Sequence, residues 1–347
     1  MGKPDHKLPR EHRLRLTTRV QESARALATA VERGFNHWIL TFSGGKDSTA
    51  TLILALETAL EKQLPIQRID VVYSDTLIEI PVIQQHAIHF LEFLAGVERL
   101  RQLPMHLHIV RPALEERFWV CLLGKGYPPP HQRFRWCTRR LKIEPVEAQL
   151  RDIIRPNRTG IVTGVRFGES VERDRQLRAS CRRGGECGQG AWLQYSTRLQ
   201  AVYLAPIAYW QACDVWDFLN FWAPGRGYPV NLLEDIYNGR DTRFGCWMCT
   251  VVRQDKAMAK IVGRHEWAHL RPLMDFRDRI LSITQSARSR YLRPDGKPGR
   301  LSLETRRQLL DELLRLQDTV GICLIEEDEV QYIRTLWANP QYGPYGR

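Results

Sequence analysis

Residues 43–48, with the sequence Ser-Gly-Gly-Lys-Asp-Ser, combine the chemical groups that hold a phosphate. Gly44 and Gly45 lack a Cβ atom, so their backbone can approach an anion closely and can adopt a positive φ. Lys46 supplies a positive charge, and the neighbouring hydroxyl groups supply hydrogen-bond donors. Asp47 supplies a carboxylate that can bind Mg²⁺. The segment therefore predicts an anion site, and the alternative is an ordinary helix start after a glycine turn.

The eight cysteines are the second set of reactive groups. Five of them are expected in loops or at the ends of elements, namely Cys137, Cys181, Cys187, Cys246 and Cys249. Four thiolates from loops suit either tetrahedral zinc or a 4Fe–4S cluster. The last two form a C-x-x-C motif, but the spacing is not that of a zinc finger and the flanking sequence does not fit a thioredoxin fold. The other three lie in more apolar sequence and are predicted to be buried, inert thiols, namely Cys121, Cys213 and Cys323.

The sequence around the glycines predicts a strand that leads directly into a helix. Residues 38–42, WILTF, form a short apolar run, and a helical pattern of apolar residues begins after Gly45. Backbone N–H groups at the start of a helix, together with the helix dipole, favour an anion there. The segment is not a Walker A motif, because it lacks Gly-x-x-x-x-Gly-Lys-Ser/Thr.

Four further apolar runs predict strands that alternate with helices, at residues 69–75, 107–111, 161–166 and 203–207. This alternation predicts an α/β fold with a doubly wound parallel sheet. Ligands bind at the carboxyl ends of such strands. Ser74, Asp75 and Thr76 stand at one of these ends, and Gly164 and Arg166 stand at another.

Composition divides the chain into three predicted regions. Residues 1–36 are expected to form an N-terminal arm and an amphipathic helix, residues 37–207 the α/β domain, and residues 208–347 a mostly helical region that carries the C-x-x-C motif. Residues 118–136 contain three consecutive prolines and alternate aromatic with basic residues. This composition predicts an irregular, mobile substrate loop or a nucleic-acid contact. The alternative is that its aromatic side chains pack on the core.

The formal net charge of +12 and the pI near 9.5 are typical of proteins with polyanionic partners. The chain has no run of 18 apolar residues, and residues 1–16 lack the apolar stretch of a secretory signal. We therefore expect a cytoplasmic protein with no membrane association. In a reducing compartment, cysteines serve metal or redox chemistry more often than they form disulfides.

The strand–Ser-Gly-Gly-Lys-Asp-Ser–helix order resembles the pyrophosphate loop (PP-loop) of the N-type ATP pyrophosphatases, whose fold is adenine nucleotide alpha hydrolase-like. The resemblance implies that ATP binds with Mg²⁺, that pyrophosphate leaves, and that Lys46 and Asp47 are catalytic. The implied ATP-binding residues are Ser43, Gly44, Gly45, Lys46, Asp47, Ser48, Thr49, Ser74, Asp75, Thr76, Gly164, Arg166, Glu169 and Arg173.

A second resemblance concerns the cysteines. The pattern Cys137-x4-Lys142-x2-Pro145 is similar to the Cys-Cys-x-x-Arg-Lys-x-x-Pro segment of iron–sulfur APS reductases, with Thr138 in place of the second cysteine. It implies a 4Fe–4S cluster, with zinc as the alternative. We assign Cys187 as the fourth ligand because the glycines around it free the backbone, and Cys181 then remains as a catalytic thiol that carries sulfur. The ligand set is Cys137, Cys187, Cys246 and Cys249.

Residues 243–252, RFGCWMCTVV, resemble the DndC-type sulfurtransferases of bacterial DNA phosphorothioation and their relative SspD, and the chain is more similar to the shorter SspD type. The similarity extends with gaps from about residue 37 to residue 338. It implies that ATP adenylates a non-bridging oxygen of a DNA phosphate and that sulfur from a cysteine desulfurase then displaces AMP. The implied partners are DNA, the desulfurase and the other proteins of a phosphorothioation system.

Three other functions fit part of the sequence. A tRNA-thiolating enzyme would use the same loop with tRNA as the acceptor. A reductase of APS or PAPS would bind a nucleotide without splitting it, but that class carries a nucleophilic cysteine near its C-terminus, and the last cysteine here is Cys323. A non-catalytic nucleic-acid-binding subunit would not need residues 43–48 intact.

Overall fold

A computed structural model describes residues 8–168, 186–188, 191–237, 244–286 and 288–343. Glu169, Arg173 and Cys181 lie outside the described residues. The chain forms two compact units, each built from three segments. The first unit comprises Met1–Tyr73, Gln85–Ile109 and Leu150–Asp241, and the second comprises Ser74–Gln84, Val110–Gln149 and Thr242–Arg347.

Nine strands are present in the described part of the chain. Seven form one sheet, and their bounds are β1 His37–Phe42, β2 Arg68–Ser74, β3 Met105–Val110, β4 Thr159–Val162, β5 Glu186–Gly188, β6 Ala191–Ser196 and β7 Ala201–Ala205. The order across this sheet is β3-β2-β1-β4-β7-β6-β5. A separate hairpin pairs β8 Arg290–Leu292 with β9 Pro298–Leu301.

The main sheet confirms the doubly wound prediction. β1 is parallel to both β2 and β4, and β4 is parallel to β7, whereas β6 and β5 add an antiparallel edge that the sequence did not predict. Every residue of β1 except Thr41 is buried. Burial on both faces is typical of a central parallel strand that helices cover on each side.

Eleven α-helices are present in the described residues. Their bounds are α1 Arg10–Glu32, α2 Lys46–Glu61, α3 Pro81–Gly96, α4 Trp136–Thr138, α5 Glu144–Ile153, α6 Ala212–Asp217, α7 Asn231–Tyr237, α8 Lys256–Val262, α9 Arg271–Gln285, α10 Leu303–Val320 and α11 Glu327–Trp337. Single π-turns occupy Val120–Gly124, Arg139–Ile143 and Phe218–Trp222, and short 3₁₀ turns occupy Glu98–Gln102, Leu114–Glu116, Pro224–Arg226, His265–Leu270 and Pro340–Tyr342. The region after residue 208 is therefore mostly helical, as predicted.

Helix ends follow ordinary capping chemistry. Ser302 accepts a hydrogen bond from the Thr305 amide at the start of α10, and Gly321 ends that helix with φ +67°.

The amphipathic helix predicted for the N-terminal region is α1, which buries Leu16, Leu27 and other residues of one face. Among the described residues, none of the helices combines the length and apolar character that crossing a bilayer requires.

The prediction of an irregular, mobile segment at residues 118–136 is wrong for its first part. Residues 118–123 are buried, and the Trp119 indole donates to the Leu324 carbonyl at 2.7 Å while its ring lies against Trp247 and Phe276. The prolines at 128–130 lie in irregular backbone, and the apolar run before them belongs to the core of the second unit. Only residues 131–135 are exposed.

A buried carboxylate joins three strands of the first unit. Asp70 on β2 accepts hydrogen bonds from His37 on β1 at 2.6 Å, from His108 on β3 at 2.7 Å and from Arg68 at 2.8 Å. Burial opposes the charged form, but these hydrogen bonds outweigh it and lower the pKa of Asp70. The pairing therefore stabilises the order of β1, β2 and β3.

Replacing Asp70 with Asn should lower the free energy of unfolding by about 3–5 kcal/mol at pH 7, because Arg68 loses its ion-pair partner and the hydrogen bonds from His37 and His108 lose a buried charged acceptor. Urea denaturation measures this loss. Because the pKa of Asp70 is lowered in the folded state, the stabilisation is present above the unfolded pKa of about 3.9 and is lost as pH falls below it. The difference in the free energy of unfolding between Asp70→Asn and the wild type should therefore become smaller as the pH falls below about 3.9.

Glu61→Gln is the matched control for Asp70→Asn. Glu61 pairs with Arg226 at 2.8 Å but is half exposed, so its loss should cost less than about 1 kcal/mol. Equal losses for the two variants would contradict the buried-charge argument.

Candidate functional site

The predicted anion site forms a tight loop between β1 and α2 in the first unit. Gly44 has φ +71°, a left-handed conformation that favours glycine. Gly45 is extended at the N-cap of α2, so Lys46 begins the helix. The first amides of a helix lack acceptors within the helix. They lie here at the carboxyl end of a central strand, where an anion can bind.

Hydroxyl groups close this loop. The Ser43 amide donates to the Ser48 hydroxyl at 3.2 Å, and the hydroxyls of Ser48 and Thr49 each donate to the Gly45 carbonyl at 2.9 Å. Thr49 is fully buried. These contacts fix the turn between strand and helix, so that the backbone, as well as the side chains, is organised for a ligand.

Two cations share one carboxylate beside the loop. Asp47 accepts from Arg166 Nε at 2.6 Å through Oδ1 and from Lys46 Nζ at 2.8 Å through Oδ2. Arg166 also donates to the Trp210 carbonyl at 3.3 Å, and both cationic side chains are buried. The three charges leave a net positive charge at the start of α2, which favours an anionic ligand.

Gly164 explains how Arg166 reaches this position. A Cβ atom on Gly164 would lie 2.8 Å from the Asp47 carbonyl oxygen and 2.9 Å from the Ser48 nitrogen. The chain after β4 therefore packs directly on the backbone of the first turn of α2. Only glycine permits this approach, which places Arg166 beside Asp47.

Tyr237, on α7, is a loop contact that sequence reasoning missed. Its hydroxyl accepts the Lys46 amide at 3.2 Å, and its ring centre lies 5.5 Å from Lys46 Nζ. The contact joins residues 191 positions apart. No local motif signals it, because Tyr237 stands in ordinary helical sequence.

The residues predicted at the end of β2 belong to the second unit. Asp75 is buried and accepts from Arg111 at 3.0 Å, from the Gln84 side chain at 2.7 Å and from the Leu77 amide. The Thr76 hydroxyl donates to Glu79 at 2.9 Å, and the hydroxyl oxygen of Ser74 is buried. Their role in nucleotide binding remains a prediction.

Three predicted metal ligands also lie in the second unit. The C-x-x-C turn has a 3.2 Å hydrogen bond from the Cys249 amide to the Cys246 carbonyl, and Cys246 pairs with Glu79 in a short antiparallel bridge. The Cys246 thiol and the amides of Val251 and Val252 donate to the Cys249 sulfur and lower its pKa to about 6 against the effect of burial. The same thiol pair raises the pKa of Cys246.

Lys142 supplies a positive charge near these thiols. Its Nζ lies 3.1 Å from Glu79 Oε1. Burial opposes the ammonium form, but Glu79 and the sulfurs of Cys246 and Cys137 raise the pKa of Lys142. Burial also raises the pKa of Cys137. Three thiols, one of them already acidic, beside a lysine are donors of the type that bind a metal or cluster. Among the described residues, however, their three sulfurs do not all lie within 4.8 Å of one another.

Arg277 holds the backbone behind the C-x-x-C turn. Its guanidinium is buried and donates twice to the Cys249 carbonyl, at 2.9 and 2.8 Å, and also to the carbonyls of Val252 and Arg253. This geometry directs the Val251 and Val252 amides toward the Cys249 sulfur. Sequence reasoning missed Arg277, since an arginine within a helix carries no signal of such a role.

The other cysteines differ in exposure. Cys121 is buried, as predicted, and burial raises its pKa to about 12. The predicted burial is wrong for the other two, since Cys213 is only half-buried and Cys323 is exposed. The neighbouring Leu324 takes the buried position instead. The predicted loop position is wrong for Cys187, which lies within strand β5, and its role as a fourth ligand remains a prediction.

Gly164→Ala should lower the free energy of unfolding by about 1–3 kcal/mol, because the new methyl group overlaps the first turn of α2. Gly96→Ala is the control, since its Cβ would meet nothing within 4 Å. Thermal or urea unfolding of both variants measures the difference. The close approach would be refuted if both alanines proved equally harmless.

Comparison with known proteins assigns a family. A model of the phosphoadenosine phosphosulfate reductase domain matches residues 37–252. Two uncharacterized proteins of Methanocaldococcus jannaschii are similar to this chain. The first is 31% identical over 212 residues, which cover 61% of this chain and 35% of the relative. The second is 25% identical over 214 residues, which cover 60% of this chain and 40% of the relative. The matched region thus spans less than half the length of these relatives.

Structural comparison matches this chain to a crystal structure of phosphoadenylyl-sulfate reductase from Candida auris in a phosphate complex. It is 15% identical, with 70% of this chain and 98% of that chain covered and a TM-score of 0.41. FMN adenylyltransferase of Candida glabrata, in complex with FAD and inorganic pyrophosphate, is 14% identical, with 67% and 64% covered and a TM-score of 0.38. Because the family model covers well over half of the chain, from β1 through the C-x-x-C motif, the protein belongs to the phosphoadenosine phosphosulfate reductase domain family.

Proposed function

We propose that this protein is an ATP pyrophosphatase that adenylates a DNA phosphate for sulfur incorporation in phosphorothioate modification. The observation that supports it most is the loop between β1 and α2, where Asp47 lies between Lys46 and Arg166. Membership of a nucleotide-enzyme family supports the coarser part of this proposal. The resemblance of residues 243–252 to DndC-type sulfurtransferases supports the finer part.

The loop is suited to a pyrophosphate leaving group. In the proposed reaction, a non-bridging oxygen of the DNA phosphate attacks the α-phosphorus of ATP. A new P–O bond forms, and the bond from the α-phosphorus to the bridging oxygen breaks. The electron pair leaves with pyrophosphate, whose charge the α2 amides, Lys46 and Arg166 stabilise. Mg²⁺ would neutralise further phosphate charge, with Asp47 as its protein ligand.

Sulfur enters in a second proposed step. A cysteine desulfurase supplies the sulfur as a persulfide on Cys181. The outer sulfur of this persulfide attacks the activated phosphorus, so that a P–S bond forms as the P–O bond to AMP breaks. A second thiol then attacks the Cys181 sulfur and breaks the S–S bond, which releases the phosphorothioate and leaves a disulfide that a cellular thiol reductant reduces. Cys137, Cys246 and Cys249, with Cys187 as the fourth ligand, would hold a 4Fe–4S cluster, which supplies redox or sulfur-handling chemistry when bound. Zinc is the alternative metal, because four thiolates suit it as well.

A nucleic-acid acceptor is proposed from charge and exposure. The chain carries a net charge of +12, and residues 131–135 expose Arg133, Phe134 and Arg135. Basic and aromatic side chains together suit backbone contact and base stacking. DNA is the proposed partner and tRNA the alternative, in a cytoplasmic protein that works with the other proteins of a phosphorothioation system.

A nucleotide-binding reductase is a second candidate. The hydrogen bond between the Cys246 and Cys249 thiols, with the lowered pKa of Cys249, is the observation that favours it, because a low thiol pKa is typical of redox dithiols. Such an enzyme would bind its nucleotide without releasing pyrophosphate. Pyrophosphate release therefore discriminates between the two functions.

Lys46→Ala and Asp47→Ala should each reduce pyrophosphate release from ATP by about 10²–10³-fold or more, because each loses a charged group at the leaving phosphates. Release should be measured with and without DNA, and DNA should stimulate the wild-type enzyme. Lys62→Ala is the control, since Lys62 is exposed at the other end of α2. Undiminished release from both loop variants would reject the proposed site.

Anaerobically purified protein should be brown, with a broad visible absorption band from an iron–sulfur cluster. Cys246→Ser and Cys249→Ser should bleach it, whereas Cys121→Ser should retain the colour because Cys121 is buried with a raised pKa. Metal analysis accompanies the spectra. A colourless preparation with stoichiometric zinc would exclude the cluster and leave a zinc–thiolate site.

A further inference from the structure

The hydroxyl of Tyr237 lies at the point where α2 begins. Its oxygen accepts the Lys46 amide at 3.2 Å. It also lies 3.3 Å from the position that a Cβ atom on Gly45 would occupy. The space left by the missing side chain of Gly45 is therefore taken by an oxygen from the protein itself.

This position is the one an anion would use. The amide of the first helical residue has no acceptor within the helix and points along the positive end of the helix dipole. A phosphate oxygen at a helix N-terminus accepts such an amide. The Tyr237 hydroxyl makes the same contact through a neutral oxygen, so the hydroxyl and a phosphate oxygen compete for one donor.

The ring that carries this hydroxyl is held in place by packing. Tyr237 is 5% exposed. Its ring meets Trp216 of α6 edge-on, with 5.2 Å between centroids, and lies 5.5 Å from Lys46 Nζ. The hydroxyl is thus presented by a positioned side chain in the core of the first unit.

We propose that Tyr237 is an internal competitor for the phosphate site. Pyrophosphate or the phosphates of ATP displace the Tyr237 hydroxyl from the Lys46 amide when they bind. The hydrogen bond between this amide and the hydroxyl forms again as pyrophosphate leaves. This inference rests on the proposed function. It identifies a positioning residue that weakens product binding at a loop whose net positive charge would otherwise retain a polyanion.

Tyr237→Phe tests the proposal, because it removes only the hydroxyl and keeps the ring against Trp216. Binding of inorganic pyrophosphate to the full-length protein should be measured by calorimetry. The variant should bind about two- to tenfold more tightly, which is the range expected for one hydrogen bond that no longer has to be displaced. A residue with a purely structural role would not increase affinity when truncated.

Tyr228→Phe is the matched control. Tyr228 belongs to the same unit, is equally buried, and its hydroxyl bonds to Glu57 at 2.6 Å. Pyrophosphate affinity should not change in this variant. A tighter affinity in both variants would show a general loosening of the unit and overturn the proposal.

A second measurement checks the contact without any ligand. Gly45→Ala adds a methyl group 3.3 Å from the Tyr237 hydroxyl. This substitution should therefore lower the melting temperature less in the Tyr237→Phe variant than in the wild type. Equal losses in the two backgrounds would show that the hydroxyl does not occupy this place and would overturn the proposal.

The outcomes separate this inference from the proposed function. Unchanged or weaker pyrophosphate binding by Tyr237→Phe, with normal binding by the wild type, overturns the competitor role alone. Weaker binding would show that the hydroxyl donates to the anion. If neither the wild type nor the variant binds pyrophosphate or ATP, the proposed function fails and the competitor role fails with it.

Discussion

The ion pair between Asp47 and Arg166 is the interaction on which the candidate nucleotide site depends. It joins the first turn of α2 to the segment that follows β4, two elements that are distant in sequence and adjacent to the same central strand. The pair forms because Gly164 lets one backbone lie directly on the other. The carboxylate in turn orients Lys46, so the positions of three charges depend on one glycine and one arginine.

The C-x-x-C turn of the second unit is also held by a buried arginine. The Arg277 guanidinium donates to the Cys249 carbonyl, and the amides of Val251 and Val252 donate to the Cys249 sulfur. Lys142 balances negative charge that the thiols acquire when ionised. In both units, a buried arginine fixes the geometry beside the candidate site, through the Asp47 carboxylate in the first unit and through backbone carbonyls in the second.

Local sequence predicted the loop and the parallel sheet, because strand, glycine turn and helix are consecutive in the chain. It did not predict Tyr237 or Arg277, whose contacts join residues 191 and 28 positions apart. It misjudged residues 118–123 because the prolines that follow dominate the pattern, whereas tertiary packing buries the apolar run. The antiparallel strands β5 and β6 lie in a stretch whose glycines and polar residues resemble a loop.

The discontinuous units have a consequence for how the chain can fold during synthesis. The chain passes from one unit to the other five times, so neither unit corresponds to a single stretch that could fold as it leaves the ribosome. Strand β1 pairs with β4, more than a hundred residues later, and β4 then pairs with β7. Until Ala201–Ala205 has emerged, the nascent sheet has an unpaired apolar edge. Slow formation of long-range parallel pairs leaves such edges open to aggregation. About two hundred residues must therefore be synthesised before β4 can pair with β7 and cover this edge.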